Sequence, residues 1–190
     1  MKIMTPALVV AIGLTIAAQS ATTSAQTATP SYSASYGNDR AQIQDLQSRY
    51  VFAFDFNDAD AYASTFTEDG ILEWARGAET GREALRTVIR GIRANREKKM
   101  AEDRAKGLRP TRSSHHITNT VLKIDGNRAT GRSYWFQYWN ENAARTPVLR
   151  AYGHSEDEYV KKGGKWFFKK RKIFNEILDH LAADQENPAW

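Results

Sequence analysis

The sequence predicts an α+β fold in which N-terminal helices pack on a strongly curved mixed or antiparallel sheet, closing a cone-shaped α+β barrel around one apolar pocket. Three observations point there. Apolar residues recur at helical spacing in the first half of the chain, whereas the residues after Thr111 read as long strands. The turn pairs Asp125-Gly126 and Gly163-Gly164 divide that second half at hairpin positions. A length of 190 residues leaves room for one globular unit, and a hydrophobic content of 41% is enough to build its core.

Met1-Lys2 and the apolar run from Ala7 to Ala18 have the charged head and short core of a secretory leader, too short to span a bilayer comfortably. The small residues Thr23-Ser24-Ala25 predict cleavage after Ala25, so residues 1–25 are expected to be a signal peptide. The protein is then exported, periplasmic or secreted, with no stable membrane insertion. Residues 26–38 are rich in Ser, Thr and Ala and carry Pro30 and Gly37, the composition of a flexible linker. The domain is expected over 39–178, with a polar tail over 179–190.

Ile43, Leu46, Tyr50 and Phe54 recur every three or four residues, which predicts a helix over Asp39–Phe54 with Asn38 or Asp39 as its cap. Asp58 opens a short second helix, and Asp69-Gly70 turns into the strand Ile71–Trp74. Thr80 with Glu83 has the pattern of a capping box for a third helix, whose stripe is Leu85, Val88, Ile89 and Ile92 and whose end is Gly107 and Pro110. Strands follow over His115–Ile124, Arg128–Trp139, Val148–Lys161 and Trp166–Ile177.

The 27 Lys and Arg residues exceed the 22 Asp and Glu residues by a modest margin. The basic run from Arg82 to Lys106 is interrupted by Glu83, Glu97, Glu102 and Asp103, so it reads as a solvated helix face with local ion pairs rather than a nucleic-acid surface. With no cysteine, the chain has no thiol nucleophile, disulfide or zinc-thiolate site. No phosphate-binding glycine loop or Gly-x-Ser-x-Gly elbow occurs. His115 and His116 are strand neighbours that point to opposite faces, so they do not ligate one ion together, and no metal site is expected. Parity groups His115 with Ile117, Asn119 and Val121, and His116 with Thr118, Thr120 and Leu122, without deciding which set faces inward. Asp55, between Phe54 and Phe56, is either a helix-terminal turn former or a carboxylate lodged in apolar surroundings for a purpose. The strand Ser133–Trp139 carries aromatics on both faces, Trp135 and Trp139 on one and Tyr134, Phe136 and Tyr138 on the other.

Several segments, taken in order, resemble the SnoaL-like branch of the nuclear transport factor 2-like superfamily. They are Ile43-Gln44-Asp45-Leu46 leading to Asp55, His115-His116-Ile117-Thr118-Asn119, Asp125-Gly126-Asn127-Arg128-Ala129, Glu158-Tyr159, Gly164-Lys165-Trp166 and Arg171. The resemblance covers roughly Asp39 to Ile177 and includes scytalone dehydratase, bile-acid 7α-dehydratase and hexachlorocyclohexane dehydrochlorinase relatives. It implies that Asp55 orients a histidine that takes a proton from substrate. Counting back from Asn119 favours His115 for that base over His116. Tyr50 matches a tyrosine of the bile-acid enzyme five residues before the aspartate, and Arg171 matches a pocket arginine. The lysine of the dehydrochlorinase has no counterpart, which favours an oxygen leaving group over halide.

The function expected on this basis is a cofactor-independent lyase that removes water or formaldehyde from a hydrophobic, hydroxylated aromatic molecule, such as a lignin-derived dimer or a polycyclic alcohol, forming a C=C bond. His115 is the base, Asp55 its orienting partner, Tyr50 the donor to the leaving oxygen and Arg171 the balancing charge. Trp135, Trp139, Asn119, Gln137, Trp74 and Ser155 are expected to bind substrate. The resemblance also implies a homodimer or homotrimer. A non-catalytic carrier of hydrophobic small molecules and a ketosteroid-type isomerase are the competing readings.

Overall fold

A computed structural model describes residues 32–184 and 186–189. The leader expected over 1–25 lies outside the described residues, as does the linker up to Ser31. The compact unit that carries every element below begins at Ser33.

Helices α1 (Tyr36–Asp55) and α2 (Ala59–Ser64) precede the hairpin of β1 (Phe66–Trp74) and β2 (Gly77–Thr80), and α3 (Arg82–Ala105) follows. Four long strands complete the fold: β3 (Ser113–Asp125), β4 (Arg128–Trp139), β5 (Val148–Lys162) and β6 (Lys165–Ile173). The sheet order is β2-β1-β6-β5-β4-β3, with β1 parallel to β6 and every other pair antiparallel. The sheet is thus mixed, and the helices cover its concave face.

The core forms where the inward face of the sheet meets the helical stripes. Ile43, Leu46 and Tyr50 of α1, Tyr62 of α2 and Leu85 and Ile89 of α3 pack with Phe66, Leu72, Tyr159 and Phe168. The expected cap of α1 is different from the observed start. The helix begins at Tyr36, and Asp39 is buried on its inner side, where its Oδ1 accepts from Lys161 Nζ at 2.7 Å and Trp166 Nε1 at 2.9 Å. The bond from Lys161 outweighs burial and holds this carboxyl below its usual range. Asp39 therefore ties α1 to the far end of β5 and β6.

Asp58 caps α2 as expected, accepting from the Ala61 N–H at 2.9 Å. The capping box at Thr80 does not form, because Thr80 closes the short strand β2. Gly81 precedes α3 instead, with φ 85°, and its N–H reaches Gly70 O at 2.8 Å. A left-handed residue is what lets the chain leave β2 and enter α3 in one step.

Bulges bend the sheet. One lies between Thr118 and Val121, with Asn119 at φ 52°, and reverses the parity of β3: Val121 is exposed and Leu122 buried. The face shared by His115, Ile117 and Val121 in an unbroken strand therefore ends at Ile117. Another bulge, between Glu158 and Tyr159, keeps Trp166, Phe168 and Arg171 all inward on β6. Gly153 on β5 is there for close approach, since a Cβ would lie 2.2 Å from Phe174 O. On the outer face, Tyr134, Tyr138 and Tyr152 are exposed.

Candidate active site

Asp55 owes its position to the way α1 ends. Asn57 is left-handed, at φ 56°, and the Asp58 and Asn57 N–H groups bond back to Ala53 O at 2.9 Å and Phe54 O at 3.1 Å. This is a Schellman stop, with Asn in place of the commoner Gly. It leaves an acidic side chain in the last turn, where the helix dipole disfavours negative charge. The carboxylate is held by other means. His115 lies on β3, the edge strand, so its N–H points away from the β4 ladder and donates to Asp55 Oδ2 at 2.8 Å. The other carboxylate oxygen sits 2.6 Å from His115 Nδ1.

Both Asp55 oxygens are therefore committed to one residue. A carboxylate this close puts a proton on Nδ1, so that in the neutral ring the lone pair is on Nε2. Among the described residues Nε2 has no hydrogen-bond partner. The ring is packed edge-on against Phe54, with centroids 5.0 Å apart, and lies 6.4 Å from Trp135. It keeps 18% of its side-chain surface accessible, so the imidazole is fixed yet reachable.

The ring opens onto a cavity of about 720 Å³ between the end of α1, the second half of α3 and the β3–β4 edge. Gln137, paired with His115 across the ladder, and Trp139 line it. The exposed Phe52 and Phe56 stack on one another on the α1 side. These are flat apolar surfaces suited to an aromatic ligand.

The other sequence-predicted residues lie elsewhere. Tyr50, Arg171 and Ser155 belong to a buried polar cluster deeper in the cone and do not line this cavity. Arg171 is 2% exposed and Asp157 0%. Their charged ends approach to 3.5 Å, while Arg171 Nη2 donates to Ser155 Oγ at 3.1 Å. Tyr159 donates to Asp157 Oδ2 at 2.8 Å and accepts from Gln47 at 2.8 Å. The Arg171 guanidinium lies 4.4 Å over the Tyr50 ring, and Tyr62 donates to the Tyr50 hydroxyl at 3.1 Å. Burial pushes the Tyr50 phenol up, more than Arg171 pulls it down, so it keeps its proton at neutral pH. Burial likewise raises the Asp157 carboxyl against the pull of Arg171.

Trp135 is inward but spends its indole N–H on Phe174 O at 2.9 Å. Asn119 is displaced by the bulge: it is exposed, and its Oδ1 accepts from Thr118. Trp74 sits near the end of β1 under Arg76 and is not part of the cavity wall. His116 is on the outer face, stacked 5.0 Å from Phe136, and reaches the cavity only at its edge, with Nε2 3.2 Å from Ser114 Oγ. His154 faces away from His115 as well, stacked 4.3 Å from Phe174.

Sequence reasoning missed the cationic wall of the cavity. Arg82, Arg86, Arg90 and Arg93 do form the ion pairs of a solvated face. The core stripe of α3, however, continues past Ile92 as Arg96, Lys99 and Asp103, so charge replaces apolar side chains where the helix crosses the cavity. Arg96 Nη1 donates to Asp55 O at 2.7 Å and Nη2 to Ser113 Oγ at 3.2 Å. Asp103 is buried at the end of that stripe, bonded to Arg145 Nη2 at 2.7 Å and to the Thr111 side chain and N–H at 2.9 and 3.0 Å. Following the helical period through the charged run would have found both residues.

Comparison with known proteins agrees with this architecture. The model of the SnoaL-like domain matches residues 36–172, and the chain belongs to that family, within the nuclear transport factor 2-like superfamily. Among solved structures, a variant of Rv3472, a function-unknown protein of Mycobacterium tuberculosis, is 27% identical. That match covers 76% of this chain and 80% of the other, with TM-score 0.60. A Novosphingobium aromaticivorans protein designated a scytalone dehydratase is 23% identical over 73% of this chain and 84% of its own, with TM-score 0.57. ActVI-ORFA of Streptomyces coelicolor is 17% identical over 75% and 98%, with TM-score 0.62. The last two likenesses establish the fold alone. No protein of curated function matches the sequence.

Proposed function

We propose that the protein is a cofactor-independent lyase that forms a C=C bond by removing water or formaldehyde from a hydroxylated aromatic molecule. The observation that carries this is the pair at 2.6 Å: an imidazole whose Nδ1 is locked by Asp55 and whose Nε2 is unbonded beside an aromatic-lined cavity. In a dehydration, Nε2 takes the proton from carbon, the C–H electrons become the double bond, and the hydroxyl on the adjacent carbon leaves as water with the proton that the imidazolium returns. In the formaldehyde variant, Nε2 takes the proton of a hydroxymethyl oxygen. The C–C bond then breaks to release formaldehyde, and its electrons form the double bond as the neighbouring hydroxyl departs as water with the proton held by the imidazolium. Asp55 stabilises the imidazolium in either case.

Tyr50 and Arg171 enter this reading as groups deeper in the cone. Tyr50 keeps its proton but does not line the cavity, so the leaving oxygen draws its proton from the imidazolium, and Arg171 acts through its positive charge alone. The exposed Tyr134, Tyr138 and Tyr152 support the expected homo-oligomer, which sedimentation would check. Export rests on the leader, and the mass of the secreted chain should start at Gln26.

The test is a panel of hydroxylated aromatic dimers and polycyclic alcohols, followed by ultraviolet absorbance for new conjugation and by mass spectrometry for lost water or formaldehyde. A mass loss that disappears in His115→Ala supports the lyase. Binding across the panel with no turnover would make the protein a carrier.

A further inference from the structure

The cavity wall holds more positive charge than the protein neutralises. Asp55 and Glu141 are its carboxylates, and both are engaged: Asp55 with His115, Glu141 with Lys99 at 3.2 Å. Lys99 also lies 3.6 Å from Asp103. Arg76, Arg96 and Arg112 line the same cavity, and none of them has a carboxylate bonded to it among the described residues. Arg96 is the most enclosed of the three, wedged between the end of α1 and β3, with its Cζ 5.8 Å over the Phe54 ring. Burial lowers its pKa, and the neighbouring Arg112 adds to this against the pull of Asp55. Arg112 has its backbone N–H on Asn140 Oδ1 at 2.6 Å and leaves its side chain exposed. The indole N–H of Trp139, on the same wall, is buried without an acceptor.

Among the described residues Asp55 is the one carboxylate near Arg96, and it also serves His115, so the positive charge of Arg96 and Arg112 exceeds what this wall of the cavity supplies in negative charge. Arginines that have neutral acceptors or none, and no carboxylate partner, have the complementary chemistry of a planar anion, and the guanidinium fork fits a carboxylate in particular. We propose that Arg96 and Arg112, with the Trp139 indole, read a carboxylate on the substrate and so set its orientation over His115. This deepens the lyase reading and rests on it only for the meaning of the word substrate, because the binding itself needs no turnover.

The experiment uses 2-naphthoate and 2-naphthalenemethanol as probes, with inorganic phosphate as a control, in calorimetric titrations of wild type, Arg112→Gln, Arg96→Gln and His115→Ala. Wild type should bind the acid about 10-fold more tightly than the alcohol, the worth of roughly one charge-assisted contact. The preference should fall below about threefold in Arg112→Gln, and Arg96→Gln should lower it too if that variant folds. His115→Ala should retain it. Equal affinity for acid and alcohol, a preference that survives Arg112→Gln, or phosphate binding as tight as naphthoate would each overturn the carboxylate site. The lyase reading fails separately, by absence of His115-dependent turnover in any substrate.

Discussion

The cone holds two polar clusters built on different terms. The inner one joins Arg171, Asp157, Tyr159, Ser155 and Gln47, and is almost wholly sealed from solvent. The outer one joins His115, Asp55 and Arg96 beside the cavity, and leaves Nε2 of the histidine and the guanidinium of Arg112 without hydrogen-bond partners among the described residues. Inside, opposite charges are paired at 3.5 Å and shut away from solvent, although Asp157 Oδ1 and Arg171 Nε and Nη1 have no hydrogen-bond partner among the described residues. At the cavity, charge and imidazole are held in place and left accessible, and that access is what separates a reactive site from a structural one.

Substitutions should divide the two clusters by readout. The largest expected effect is at the cavity: His115→Ala should lower turnover by about 10²–10⁴-fold with little change in melting temperature. Retained turnover would remove the base from the scheme. In the inner cluster, Arg171→Met leaves Asp157 buried and uncompensated and should cost about 3–5 kcal/mol in urea unfolding. A variant as stable as wild type would show that the inner pair is not structural. Tyr159→Phe removes one buried donor to Asp157 and should cost about 1–3 kcal/mol by the same assay.

Acid sharpens the comparison further, through Asp103, buried on α3 one turn beyond the cavity residue Lys99. Burial raises this carboxyl, but the bonds from Thr111 and Arg145 outweigh it and hold the pKa at about 2. A folded value below the unfolded one means that the contribution to stability is complete above the unfolded pKa and is lost as pH falls towards 2. Asp103→Asn should therefore flatten the acid limb of a stability profile between about pH 4 and 2 while leaving its neutral plateau sloping as before. An unchanged acid limb would place the acid sensitivity elsewhere.

Much of the architecture is legible in the sequence. The period of Ile43, Leu46 and Tyr50 and the turns at Asp125-Gly126 and Gly163-Gly164 are strong local signals, and they yield α1 and the hairpins directly. The meeting of Asp55 and His115, sixty residues apart, is signalled only by the family resemblance, because tertiary pairing leaves no periodic trace. Strand β2, Gly-Ala-Glu-Thr, is too short to alternate visibly. The bulge at Asn119 is a backbone choice that parity counting cannot register, and it removes Asn119 from the site. Arg96 is hidden for a different reason: a run of charge looks solvated until each residue is set on the helical wheel begun by Leu85 and Ile89.

The central claim is that Asp55 locks His115 with its proton on Nδ1 and its lone pair towards the cavity. Nitrogen-15 resonances of labelled histidine at neutral pH, in wild type and Asp55→Asn, test it most directly. The lock predicts an Nδ1-protonated ring for His115 in wild type and a shift towards the Nε2-protonated form in Asp55→Asn. A wild-type ring protonated on Nε2, or one indifferent to the substitution, would contradict it.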